Sequence, residues 1–166
     1  MNASYAEILG RKIIDKEKNV KLGFVQNILV DKNTGKILGL TTEQNKSINA
    51  LDIINWSPNI IVKSKKQISD KKNNGSFLNN MRVETVSNKY LGKVNDFSFD
   101  CNFLIINGIL CFKTFLFIQY NQRIIPYSAI ISIEEKKIIV KDDFEFVKNA
   151  LKSRLKLKEN ISIEMA

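Results

Sequence analysis

A chain of 166 residues makes one domain or two small ones, and its 44% hydrophobic content supplies a packed core that a disordered chain lacks. Two Cys (Cys101 and Cys111) and no His exclude a disulfide framework and an imidazole-based zinc site, and leave both thiols as small apolar residues. The net charge of +9 rests on 26 basic residues of which only four are Arg, so a compositional bias toward Lys explains it better than a polyanion-binding footprint.

Residues 5–9 form a short apolar entry, without the basic-then-apolar order of a signal peptide, which implies a cytoplasmic protein. A brief strand is expected over 12–15 and a long one over 20–31. In the long strand Phe24, Gln26, Ile28 and Val30 fall on one side of the pleat, and Val25, Asn27 and Leu29 on the other. Asp31, Asn33 and Gly35 then make a turn, because Asp and Asn bond back to the local backbone and Gly accepts positive φ. Residues 36–42 return as a strand, completing a hairpin. A polar loop over 43–47, the stretch 48–56, a Ser57-Pro58-Asn59 turn and a short strand over 60–62 follow. Residues 63–80 are polar, carry Lys63, Lys65, Lys66, Lys71 and Lys72, and read as a linker.

The second half replays the first. A strand over 81–86, a turn at 87–89 and a long strand over 90–100 lead to a short turn at Cys101-Asn102 and a return strand over 103–112. An alternating strand is expected over 114–120, and 123–133 and 138–140 match 48–56 and 60–62. Gly23, Asp31 and Gly39 recur as Gly92, Asp100 and Gly108, all at an offset of 69. The closing strands are 78 apart, so the second half carries about nine extra residues, placed near 114–122 and absorbed by a longer hairpin at small entropic cost. The apolar run 103–118 is shorter than the roughly 20 residues of a spanning helix, and Asn107, Gly108, Lys113 and Thr114 interrupt it; no transmembrane segment is expected. Residues 142–158 have Phe144, Val147, Leu151 and Leu155 on one helical face, with Asp142 and Glu145 as a cap.

The doubled pattern resembles the PRC-barrel family, the small β-barrel shared by the reaction-centre H subunit and the ribosome-maturation factor RimM. The first copy carries Leu9-Gly10-Arg11-Lys12-Ile13-Ile14, Leu22-Gly23-Phe24-Val25, Leu51-Asp52-Ile53 and Ile60-Ile61-Val62. The second carries Leu91-Gly92-Lys93-Val94, Ile125-Pro126-Tyr127-Ser128-Ala129-Ile130 and Ile138-Ile139-Val140, and departs after Asp100, where the usual Gly is missing. The resemblance implies a mainly β fold of two small PRC-type barrels in tandem with a C-terminal amphipathic helix. Its divisions are a first barrel over 1–64, a basic linker over 65–76, a second barrel over 77–142 and a helix with tail over 143–166.

The resemblance implies no catalytic residue, metal or cofactor. Relatives are adaptor-like, some associated with sporulation or stress, which implies a non-catalytic cytoplasmic module with a protein partner; the alternative is an RNA- or ribosome-associated factor like RimM. The lysines at 63, 65, 66, 71 and 72 are the candidate polyanion contacts, weighed against a merely solvated linker. Trp56, Val147, Leu151 and Leu155 are candidate partner contacts, weighed against packing on the chain's own barrels. Gly23, Asp31, Gly39, Gly92, Asp100 and Gly108 are structural turn and strand positions.

Overall fold

A computed structural model describes residues 1–70, 74–116 and 118–143. Strand β1 (Asn2–Ser4) leads into a single helical turn, α1 (Tyr5–Ile8), whose N-terminus is closed by a reciprocal Ser4–Glu7 capping box. The first half continues with β2 (Lys12–Asp15), β3 (Val20–Val30), β4 (Ile37–Thr42), β5 (Ser47–Asn49), β6 (Ile53–Asn55), β7 (Ile60–Val62) and β8 (Ile68–Ser69). The second contains β9 (Arg82–Thr85), β10 (Tyr90–Asp100), β11 (Ile105–Phe115), β12 (Ile118–Pro126), β13 (Ile130–Ile133) and β14 (Lys137–Val140).

The strands make two sheets of like topology. One runs β6-β7-β2-β3-β4-β5-β8; the other runs β12-β11-β10-β9-β14-β13, with β1 added on β10. In both, the closing strand lies parallel to the opening one (β7 on β2, β14 on β9), and the other pairings are antiparallel. The long strand divides its ladder: β3 pairs with β2 up to Phe24 and with β4 from Val25. Gly23 and Gly92 sit at the change of neighbour with φ of +142° and +138°, backbone that only Gly adopts without strain. A Cβ on Gly92 would collide with the carbonyl of Phe112.

A second shared device corrects the alternation expected for the long strand. Between Val25 and Asn27 the ladder slips by one residue, so Gln26 is a bulge and Val25 and Ile28 both reach the core. The same slip between Val94 and Asp96 buries both Val94 and Phe97. Gly39 and Gly108 lie where neighbouring backbones approach closely. A Cβ on Gly108 would stand 2.7 Å from the carbonyl oxygen of Ile125, and one on Gly39 would meet that of Ile48.

The turn after Asp100 differs from expectation. It is no shorter than its counterpart. Asp31 accepts from the N–H groups of Asn33 (2.8 Å) and Thr34 (3.1 Å), and Gly35 N–H donates to the Asp31 carbonyl. Asp100 accepts from Asn102 (2.7 Å) and Phe103 (2.9 Å), and Leu104 N–H donates to the Asp100 carbonyl. Leu104 therefore stands in the place of Gly35, at φ +54° against +65°.

Two further expectations are corrected. Residues 114–120 are not one strand: β11 and β12 pair from Gly108↔Pro126 to Phe115↔Ile118, and Leu116, at φ +46°, turns between them. The stretch expected as a solvated linker is partly taken into the fold. Lys65–Gln67 is a 3-10 turn, β8 pairs with β5, Ser76 exchanges both backbone hydrogen bonds with Val30, and Leu78 is fully buried. Apolar residues at 68 and 78 draw the chain onto the sheets despite the intervening polar composition. Lys71, Lys72, Phe144, Val147, Leu151 and Leu155 lie outside the described residues, and so does the expected helix beyond Asp143.

The halves meet about a pseudo-two-fold axis. Lys36 bridges Ile105, its own counterpart at offset 69. On either side Ile37 N–H donates to the Leu104 carbonyl (2.7 Å) and Ile106 N–H to the Gly35 carbonyl (3.1 Å), which are again equivalent bonds. The leading segments are exchanged: β1 pairs with β10 at Ala3↔Phe99, and Ser76 pairs with Val30 on β3. One apolar cluster fills the space between, from Ile13, Ile28, Leu40 and Ile60 through Leu78 to Phe97, Ile109 and Ile138.

Candidate functional site

The bulges create matching clefts. In the first half the cleft lies between β3, β4 and the segment before β9, is lined by Gln26, Asn27, Leu29, Thr41, Ser47 and Phe77, and has a volume of about 350 Å³. In the second it lies between β10, β11 and β1, is lined by Ser4, Asp96, Ser98, Asn107, Leu110 and Ile124, and has about 340 Å³. Each half's leading segment thus walls the other half's cleft. Asn27 Oδ1 accepts from Ile28 N–H at 2.9 Å, and Asp96 Oδ1 from Phe97 N–H at 2.8 Å, so both side chains are held by the backbone just past the bulge. Asp96 also accepts from Ala6 N–H at 3.0 Å and so fastens α1 to β10. The first cleft is neutral and amide-rich, with Phe77 46% exposed at its rim.

The candidate partner residue Trp56 is 5% exposed and meets Phe99 edge-on, ring centroids 5.3 Å apart. Its carbonyl accepts from Arg11 Nη1. The indole belongs to the seam between the halves and is not offered to a partner. The basic candidates Lys63, Lys65 and Lys66 are exposed. Lys65 adjoins Lys21 and Lys46 around a shallow cleft of about 210 Å³. Lys46 lies 3.8 Å from Asp70, and Lys21 sits over the Phe24 ring at 3.6 Å. No spacing in the chain announces that convergence, because positions 21, 46 and 65 belong to different elements.

Titratable groups with shifted pKa move away from neutrality. Backbone N–H groups, those of Lys18 first, hold the buried Asp15 below the usual carboxylate range; Asn33 does the same for Asp31 and Phe103 for Asp100. The Ser87 hydroxyl lowers Asp142. Burial pushes the Cys111 thiol up to about 11 and raises Cys101, Tyr5 and Tyr127. The carboxylates are thus ionised structural acceptors, and both thiols are protonated at neutral pH. Among the described residues no three His, Cys, Asp or Glu side chains gather as a metal site, and no helix is long and apolar enough to cross a membrane.

Sequence reasoning missed the roles of Asn27 and Asp96, which depend on the bulges and in Asp96 place inside β10 a residue expected at a strand end, and of Tyr127, whose ring lies over Gly35. The surplus of nine residues did point to the β11–β12 hairpin, where Leu116, Ile118 and Tyr120 are 73%, 68% and 44% exposed.

A search of the curated proteins finds no match to this chain. The model of the PRC-barrel domain matches it twice, over residues 1–73 and 70–147. The two matches reproduce the two halves related by the pseudo-two-fold axis, and the chain belongs to the PRC-barrel family as a tandem of that domain.

Proposed function

We propose that the protein is a non-catalytic adaptor of the cytoplasm that holds another protein through the first-half cleft. The observation that carries this reading is the cleft's make-up: amide side chains at Gln26 and Asn27 beside apolar Leu29 and a rim Phe77 that is 46% exposed. Such a surface suits an uncharged peptide segment, its amides meeting main-chain groups and its apolar wall burying a side chain. The direction of the pKa shifts supports a role without chemistry, since general acids and bases work best with pKa near the operating pH.

The test is affinity capture with the full chain, with and without nuclease and added salt, beside the variant Phe77→Glu. A protein partner that survives nuclease and salt but is lost with Phe77→Glu, at an unchanged thermal midpoint, supports the reading. A second reading, RNA association, draws on the convergence of Lys21, Lys46 and Lys65. It predicts capture that vanishes with nuclease and falls steeply with salt, and that Lys21→Gln/Lys65→Gln weakens. That outcome would overturn the adaptor reading.

A further inference from the structure

The β11–β12 hairpin outgrows its counterpart. Strands β4 and β5 stop at Thr42 and resume at Ser47, whereas β11 runs to Phe115 and β12 resumes at Ile118. The extension ends in the sequence FLFI over 115–118, and Leu116 and Ile118 are among the most exposed large apolar side chains described.

Cations collar its base. Lys113 lies across from Tyr120, and its Nζ is 5.5 Å from the centroid of the Tyr90 ring. The Arg82 guanidinium is 4.5 Å from the same ring, and Lys93 pairs with both Arg82 and Phe112. The acids in this neighbourhood, Glu84 and Glu134, are taken by Arg82 and Lys137, which leaves Lys93 and Lys113 in surplus. The face below the tip is therefore net positive.

The shape argues against a protein docking edge to edge. The edge strand β12 is bulged opposite Cys111–Lys113, with Asn121 at φ +53°, which breaks the row of free backbone groups that strand addition needs. A few side chains on a turn also fall short of the roughly 1,000 Å² that a stable protein interface buries. A bilayer needs no shape match. From Lys113 to the last rung at Phe115 is two residues, about 7 Å of strand, within the roughly 5–10 Å depth at which interfacial apolar groups sit.

We infer that this hairpin is a membrane-surface anchor: Leu116 and Ile118 enter the headgroup–acyl boundary of an anionic bilayer while Lys93 and Lys113 meet its phosphates. The test is flotation of the 166-residue chain with vesicles of phosphatidylcholine alone or mixed with phosphatidylserine. The protein floats with the mixed vesicles only, and added salt weakens the binding. Leu116→Asp/Ile118→Asp lowers partitioning at least about tenfold, with an unchanged thermal midpoint because both side chains are already in water. Lys93→Gln/Lys113→Gln weakens binding and flattens its salt dependence. Absence of flotation, equal flotation with neutral vesicles, or flotation that survives the tip variant (bulk charge alone) would each overturn the inference. So would a tip that captures a protein while the vesicles stay bare.

Discussion

Gly35 and Leu104 occupy one backbone position in two copies and solve it differently. Both close an Asp-led turn in the left-handed region. For Leu that conformation costs roughly 1–2 kcal/mol, offset here because its side chain packs on the core and its carbonyl accepts from Ile37. Gly35 has the opposite constraint: a Cβ would run into the Tyr127 ring. Gly35→Ala should therefore cost about 2–4 kcal/mol in urea unfolding, combining strain with overpacking. Adding Tyr127→Ala should return part of that, so the double variant loses about 1–3 kcal/mol less than the sum of the singles. Leu104→Gly exchanges lost packing for relieved strain and should stay within about 1 kcal/mol of the parent. If Gly35→Ala were equally mild, the ring would not be seated as described.

At the scale of elements, each half fastens the chain leaving its closing strand to the turn after its opening strand, with the carboxylate at opposite ends of the tie. In the first half Asp15, at the end of β2, accepts from Lys18 N–H at 3.0 Å and from Lys65 N–H, just past β7, at 2.8 Å. In the second half Asp142, just past β14, accepts from the Ser87 hydroxyl and backbone after β9. Both carboxyls are held below the ordinary range, so their contribution is complete above the unfolded pKa of roughly 3.9. It is lost as pH falls through the lower folded values. Asp15→Asn should lower the thermal midpoint at neutral pH and shrink the further drop on going to about pH 3; an acid limb as steep as the parent's would show that Asp15 is not among its causes. These ties were hidden in the sequence because Asp15 and Ser87 are not equivalent positions. The long strands and their Asp turns were legible, since residues at a fixed offset carry them. The single turn α1 was legible in principle from Ser4 and Glu7, spaced as a capping box. The exchanged segments were not, because strands as short as Asn2–Ser4 and a lone Ser76 find their partners some 46 to 98 residues away.

The whole molecule resembles an isologous dimer whose subunits are covalently joined, the backbone contacts at Lys36 and Ile105 and those of the exchanged segments occurring in both senses. A barrel of about 70 residues is marginal alone, and neither half here keeps a core to itself: Tyr5 of the first stacks on Phe97 of the second at 5.1 Å, and Trp56 meets Phe99 edge-on. Removing one half would expose that apolar seam together with the edges of β3 and β10 on which the exchanged segments lie. The tandem should therefore unfold in one step. Trp56 is the lone Trp, it is 5% exposed, and it reports the seam directly, whereas far-ultraviolet dichroism reports strands in both halves. The two signals should give coincident urea transitions with one slope. Seam fluorescence lost before the strands would mean that the halves come apart while each stays folded, and the shared core would then be a contact between two stable units. Leu78→Ala sharpens the test, since Leu78 is fully buried in the segment between the halves. It should move both transitions together, by about 2–5 kcal/mol, because the cavity opens in a core that both halves own.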